Sequence, residues 1–83
     1  MMDKLEYLVL TESEPAVSEV EAARVEKGVS IAGVSRKAEM PDTGQQYLRM
    51  RKKKDVALGR FIRFADALGY DVVMVKRKGE AEA

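Results

Sequence analysis

The chain contains no cysteine, no histidine and no tryptophan. Without cysteine there is no disulfide frame and no thiolate chemistry. Without histidine a zinc site would have to be built from carboxylates alone, and imidazole acid–base catalysis is excluded. The six glycines are scattered singly, so there is no glycine-rich phosphate loop. No apolar run approaches the roughly 20 residues that span a bilayer. The first residues, Met1 to Tyr7, have no basic segment leading into an apolar core, so they do not resemble a signal peptide. A cytoplasmic protein without membrane contact is the expectation. Glu12, Glu14, Asp66 and Asp71 have no spacing that puts them on one face, and no nucleophile has an obvious base partner. No catalytic residue, metal or cofactor is expected, and the chain is read as a non-enzyme.

What is present suits one small folded domain. Hydrophobic residues make up 46% and charged residues 35% of 83 positions, a balance unlike that of a disordered chain. A domain of this size buries only about 60–65% of its unfolded surface. Its core is thin, and a homodimer interface would be a natural source of added stability.

The formal net charge of +1 hides a gradient. Residues 1–26 carry two basic and seven acidic groups, whereas residues 49–63 carry seven basic and one acidic. A local anion-binding surface, on a chain that is not basic elsewhere, is the sharper reading of that gradient. A solvated basic face is the bland one.

Hydrophobic spacing and punctuation divide the chain. Residues 1–12 form an N-terminal extension, with Leu5 to Leu10 rich in strand formers. Residues 13–69 read as helices. Ser13 is expected to cap the first, which runs to Lys27 with Gly28 at its end and Val17, Val20, Ala23 and Arg24 on one face. Ser30 caps a second, ending near Glu39, in which Gly33 would permit close approach of a neighbouring helix. Met40-Pro41-Asp42 is a turn. Asp42 or Thr43 caps a third helix over residues 44–52, with Tyr47 and Met50 inward and Gln45, Gln46, Arg49 and Lys52 outward. Residues 53–56 form a loop. The last helix, Leu58 to Leu68, has the clearest stripe: Leu58, Phe61, Ile62, Ala65 and Leu68, flanked by Phe64 and stopped by Gly69. Residues 70–77 read as a strand, with Val72, Val73, Met74 and Val75 apolar on both faces. Such a strand needs a partner, either the N-terminal segment or the same strand of a second subunit. Residues 78–83 are a frayed tail.

The spacing resembles the Cro/C1-type (XRE-like) helix-turn-helix family of phage and bacterial transcriptional regulators. The residues that carry the resemblance are Arg24-Val-Glu-Lys-Gly-Val-Ser30, Val34-Ser35, Ala38-Glu-Met40, Tyr47 with Met50, Lys54-Asp-Val with Leu58, and Phe61 to Tyr70. It covers about residues 17–77, and its Ala65-Asp-Ala-Leu-Gly69 end is informative only beside the other elements. The chain departs from the family in four places. The family usually has alanine at Ser35, glycine at Glu39 and glycine near Lys53, and its turn is shorter than that from Met40 to Thr43.

The resemblance implies a mainly α, compact domain of four to five helices with a C-terminal β-strand. It also implies a DNA-binding regulator such as a repressor, acting on double-stranded DNA as a dimer. By resemblance the third helix enters the major groove. Gly44, Gln45, Gln46 and Arg49 would meet bases, and Thr43, Lys52, Lys53 and Lys54 would meet phosphates. The alternative is a protein-binding module on the same fold, such as an antitoxin or a phage-encoded inhibitor of the anti-CRISPR type. In that case the acidic N-terminal segment would face a toxin or an effector complex.

Overall fold

The computed structural model describes residues 7–42 and 44–79. Among these residues four helices form a mainly helical domain: α1 (Ser13–Lys27), α2 (Ile31–Lys37), α3 (Gln45–Lys53) and α4 (Leu58–Ala67). α1 packs on α3, α2 on α3, and α2 on α4.

Helix ends follow from local chemistry. α1 begins at Ser13 itself, so Glu12 is the N-cap, and that cap has no side-chain hydrogen bond. The expected Ser13 cap is therefore displaced by one residue. Gly28 closes the helix at φ 68°, its N–H directed to the Arg24 and Val25 carbonyls. Ser30 caps α2 as expected: its hydroxyl accepts from the Gly33 N–H at 2.9 Å. A Cβ at Gly33 would lie 3.0 Å from the Ser30 Oγ and 3.2 Å from Val29 Cγ1. Gly33 makes room for its own cap rather than for a neighbouring helix. The N-cap of α3 is Gly44 rather than the expected Asp42, whose Oδ1 nevertheless accepts from the Gly44 N–H at 3.2 Å and the Gln46 N–H at 3.3 Å. Thr43, the other expected cap, lies outside the described residues.

The core joins all four helices. Val17, Val20 and Ala23 come from α1, Val34 from α2, Tyr47 and Met50 from α3, and Phe64 with Leu68 from α4 and its end. The α4 stripe differs from the sequence expectation. Phe64, placed as a flank, is fully buried, while Leu58 and Ile62 are 67% and 42% exposed. Six apolar residues in ten give more than one possible stripe, and contact with Tyr47 selects the one through Phe64. The two rings meet edge to face, with centroids 5.1 Å apart and planes at 85°.

Among the described residues there is no strand. Residues 70–77, expected as a strand, are irregular, and so are residues 7–10. Within the chain neither segment pairs with the other, and a strand without a ladder partner has no hydrogen bonds to define it. Leu5 and Glu6 lie outside the described residues.

Among the described residues, two other than glycine hold left-handed backbone: Glu39 at φ 59° and Lys54 at φ 56°. Ser35 is fully buried, and among the described residues its hydroxyl has no hydrogen-bond partner. An orphaned buried hydroxyl is destabilising by about 1–3 kcal/mol. Ser35→Ala is therefore expected to raise stability by about 1 kcal/mol, seen as a higher urea midpoint at unchanged slope. A fall in the midpoint would mean that the hydroxyl is bonded.

A candidate nucleic-acid interface on the third helix

α3 has a dry side and a wet side. Tyr47 and Met50 are buried, and Gln45, Leu48, Arg49 and Lys52 are exposed. These four stand at i, i+3, i+4 and i+7, so they form one outward stripe. Gln46 is half-buried at its edge. The structure brings together most of the residues expected to read bases, with one exception. Gly44 is buried, at φ 116°, and a Cβ there would lie 2.9 Å from Ile31 Cγ2. It seats the start of α3 on α2 and is withdrawn from the exposed set. Leu48, 46% exposed, was missed by sequence reasoning because only polar residues were sought on that face. An exposed apolar group between amides and cations suits a thymine methyl.

The dry side fixes the helix to α1 by a polar clamp. The Tyr47 hydroxyl donates to Glu21 Oε1 at 2.7 Å. Arg24 donates to both Glu21 oxygens, Nε to Oε1 at 3.0 Å and Nη2 to Oε2 at 2.7 Å. Its Nη1 donates to the Val29 carbonyl at 2.7 Å, and its guanidinium lies 5.8 Å from the Tyr47 ring centroid. The hydrogen bonds from Arg24 outweigh burial and hold the Glu21 carboxyl down at about 2, from an ordinary 4.5. Burial, reinforced by the Glu21 carboxylate, pushes the Tyr47 phenol up. At neutral pH the clamp is thus carboxylate, guanidinium and un-ionised phenol. Every long side chain in it has at least one fixed partner, which orients α3 rigidly on the body of the domain.

The cations on α3 and just beyond it fall into two groups. Arg51 lies 3.7 Å from Glu21, and Lys54 lies 3.4 Å from Glu14. Lys54, one of the expected phosphate contacts, is therefore shared with α1. That pair is well exposed, so it is weak and exchangeable. Among the described residues no carboxylate lies within ion-pair distance of Arg49, Lys52, Lys53 or Arg60. Gln46, Arg49, Lys53, Asp55 and Arg60 line a shallow cleft of about 270 Å³ where α3 ends and α4 begins. The α4 N-cap is Ala57, with no side-chain hydrogen bond and no acid in the first turn. Among the described residues Asp55, two residues before that cap, is the one acid in the lining of the cleft. Arg60 had no place in the sequence expectation, because the loop that brings it beside Arg49 is a tertiary feature. Thr43, expected at a phosphate, lies outside the described residues.

Among the described residues no group of three histidine, cysteine or acidic side chains could hold a metal ion, and no helix is long and apolar enough to cross a membrane. No protein-family model, curated protein or solved structure matches the chain.

Proposed function

We propose that the chain is a sequence-specific DNA-binding regulator of the Cro/C1 helix-turn-helix type, of phage or mobile-element kind, with α3 as the reader. The observation that carries this is the outward stripe of Gln45, Leu48, Arg49 and Lys52 on a helix clamped to the domain from behind. Gln45, with Gln46 at the edge, suits adenine N6 and N7, and Arg49 suits guanine O6 and N7. Lys52 and Lys53, with Lys54 released from Glu14, suit the flanking phosphates. The backbone supports the same reading. Glu39 keeps a left-handed conformation where the family usually has glycine, and Lys54 keeps one next to the position of the second family glycine. Both positions thus hold the backbone conformation that glycine favours.

Selection of bound duplexes from a random pool tests the proposal. The parent chain is expected to enrich one motif, with affinity falling steeply as salt rises. Gln45→Ala, Gln46→Ala and Arg49→Ala combined should weaken binding to that motif about 100-fold or more, at about 1–3 kcal/mol per lost base contact. Unchanged helical circular dichroism would show the fold intact, because the three side chains are outside the core. If the triple variant binds as well as its parent, α3 is not the reader.

One observation favours the protein-binding alternative. Glu12 at the N-cap, Glu19 and Glu26 are exposed along one side of α1, an acidic face suited to a basic site on a toxin or effector. A protein-only binder would retain little random duplex DNA even at low salt, which separates the two readings.

A further inference from the structure

α3 turns two unlike flanks to solvent. Successive residues rotate by about 100° around a helix, so Gln45 and Lys52 run along the middle of the exposed stripe. Arg49 stands on one side of that line and Leu48 on the other. The Arg49 flank continues into the cleft lined by Gln46, Lys53 and Arg60. The Leu48 flank has no such continuation. Arg51, its next neighbour around the helix, lies 3.7 Å from Glu21 of α1. Among the described residues Leu48 is the one large apolar side chain of α3 that is exposed. Most of the other exposed apolar side chains line a groove between α1 and α4, and Leu48 does not.

A single exposed leucine is ordinary on a protein surface. Its neighbours make this one informative. Gln45, Arg49 and Lys52 can each satisfy a polar or charged atom of a duplex, and Leu48 between them can satisfy none. The apolar feature of the base edges in the major groove is the thymine 5-methyl group. We infer that Leu48 imposes a requirement for one thymine methyl in the target duplex, next to the adenine met by Gln45. The inference rests on α3 being the reader and names part of what it reads.

Spacing sets the position of that thymine. Gln45 and Leu48 are three residues apart, or roughly 4.5 Å along the helix axis, and base pairs rise by ~3.4 Å. The methyl therefore belongs about one to two base-pair steps from the adenine. The physics sets the character of the contact. It buries apolar surface on both partners and makes no hydrogen bond or ion pair. Its share of the affinity should hold as salt rises, while the phosphate share falls steeply.

Uracil scanning of the selected motif tests this. Each thymine is replaced in turn by uracil, which pairs identically and lacks only the methyl. The parent is expected to lose about three- to fivefold in affinity at one position, or at that position and its symmetry mate, the worth of one buried methyl. The factor should be the same at low and high salt. 5-Bromouracil, which restores an apolar group of similar size, should restore binding there. Leu48→Ala should bind the thymine and uracil duplexes alike and keep the preference for adenine and guanine elsewhere. Leu48 is exposed, so helical circular dichroism should not change. A motif with no sensitive thymine, or a uracil penalty that persists in Leu48→Ala, overturns the inference and leaves α3 as the reader. Enrichment of no motif overturns that reading itself, and the inference with it.

Discussion

Phe64→Ala is expected to remove about 3–5 kcal/mol of stability, the usual result of deleting a buried aromatic ring. A domain of this length has in the region of 4–12 kcal/mol in total. The variant should be partly unfolded at ambient temperature, or melt tens of degrees below its parent. The size follows from position. Phe64 is fully buried, meets Tyr47 edge to face, and lies where α4 closes the core built by the other three helices. Deleting it leaves a void against Tyr47, whose hydroxyl is tied to Glu21 and whose ring cannot collapse freely into the space. Ile62→Ala is the contrasting variant. Ile62 is 42% exposed, and its truncation should cost under about 1 kcal/mol. Urea unfolding of the pair decides between two phases of the same helix. Equal losses would restore the stripe through Leu58 and Ile62 and remove Phe64 from the centre of the core.

That contrast shows where the sequence is legible and where it is not. Helix ends are local events. Gly28 and Gly69 take positive φ, and Ser30 offers a hydroxyl to an orphan amide, so α1, α2 and α4 could be bounded to within a residue or two. The inward pair Tyr47 and Met50 was also legible, because α3 is polar at nearly every other position and only one apolar stripe fits. α4 is apolar on several sides, and its phase depends on which neighbour it meets. The segment Val72 to Val75 has strand composition, but a strand is a relation between two segments. The sequence shows the demand for a partner without supplying one.

The candidate site divides in the same way. Gln45, Arg49 and Lys52 follow from helical periodicity. The Glu21–Arg24–Tyr47 clamp spans 26 residues and has no local signature. Arg60 joins the basic group only through the turn after Lys54. Gly44 has the composition of a reader's first residue, but the close contact with Ile31 makes it part of the support.

Gly44→Ala is the second variant with a large expected effect, on stability and on the interface together. At φ 116° an alanine pays the left-handed steric penalty of about 1–2 kcal/mol. Its Cβ would also lie 2.9 Å from Ile31 Cγ2, so α2 and α3 must move apart at that point. The combined loss should be about 2–4 kcal/mol. The displaced turn carries Gln45 and Gln46, so binding to a selected duplex should fall by more than the unfolded fraction explains. Gly59→Ala separates the two effects. Gly59 lies inside α4, and a Cβ there meets nothing within 4 Å. It should gain about 0.5–1 kcal/mol from helix propensity without touching α3. In the double variant part of the stability returns and the backbone at Gly44 remains displaced. If binding recovers with stability, Gly44 matters only for folding. If binding stays low in the folded fraction, the contact between Gly44 and Ile31 sets the angle at which α3 meets its target.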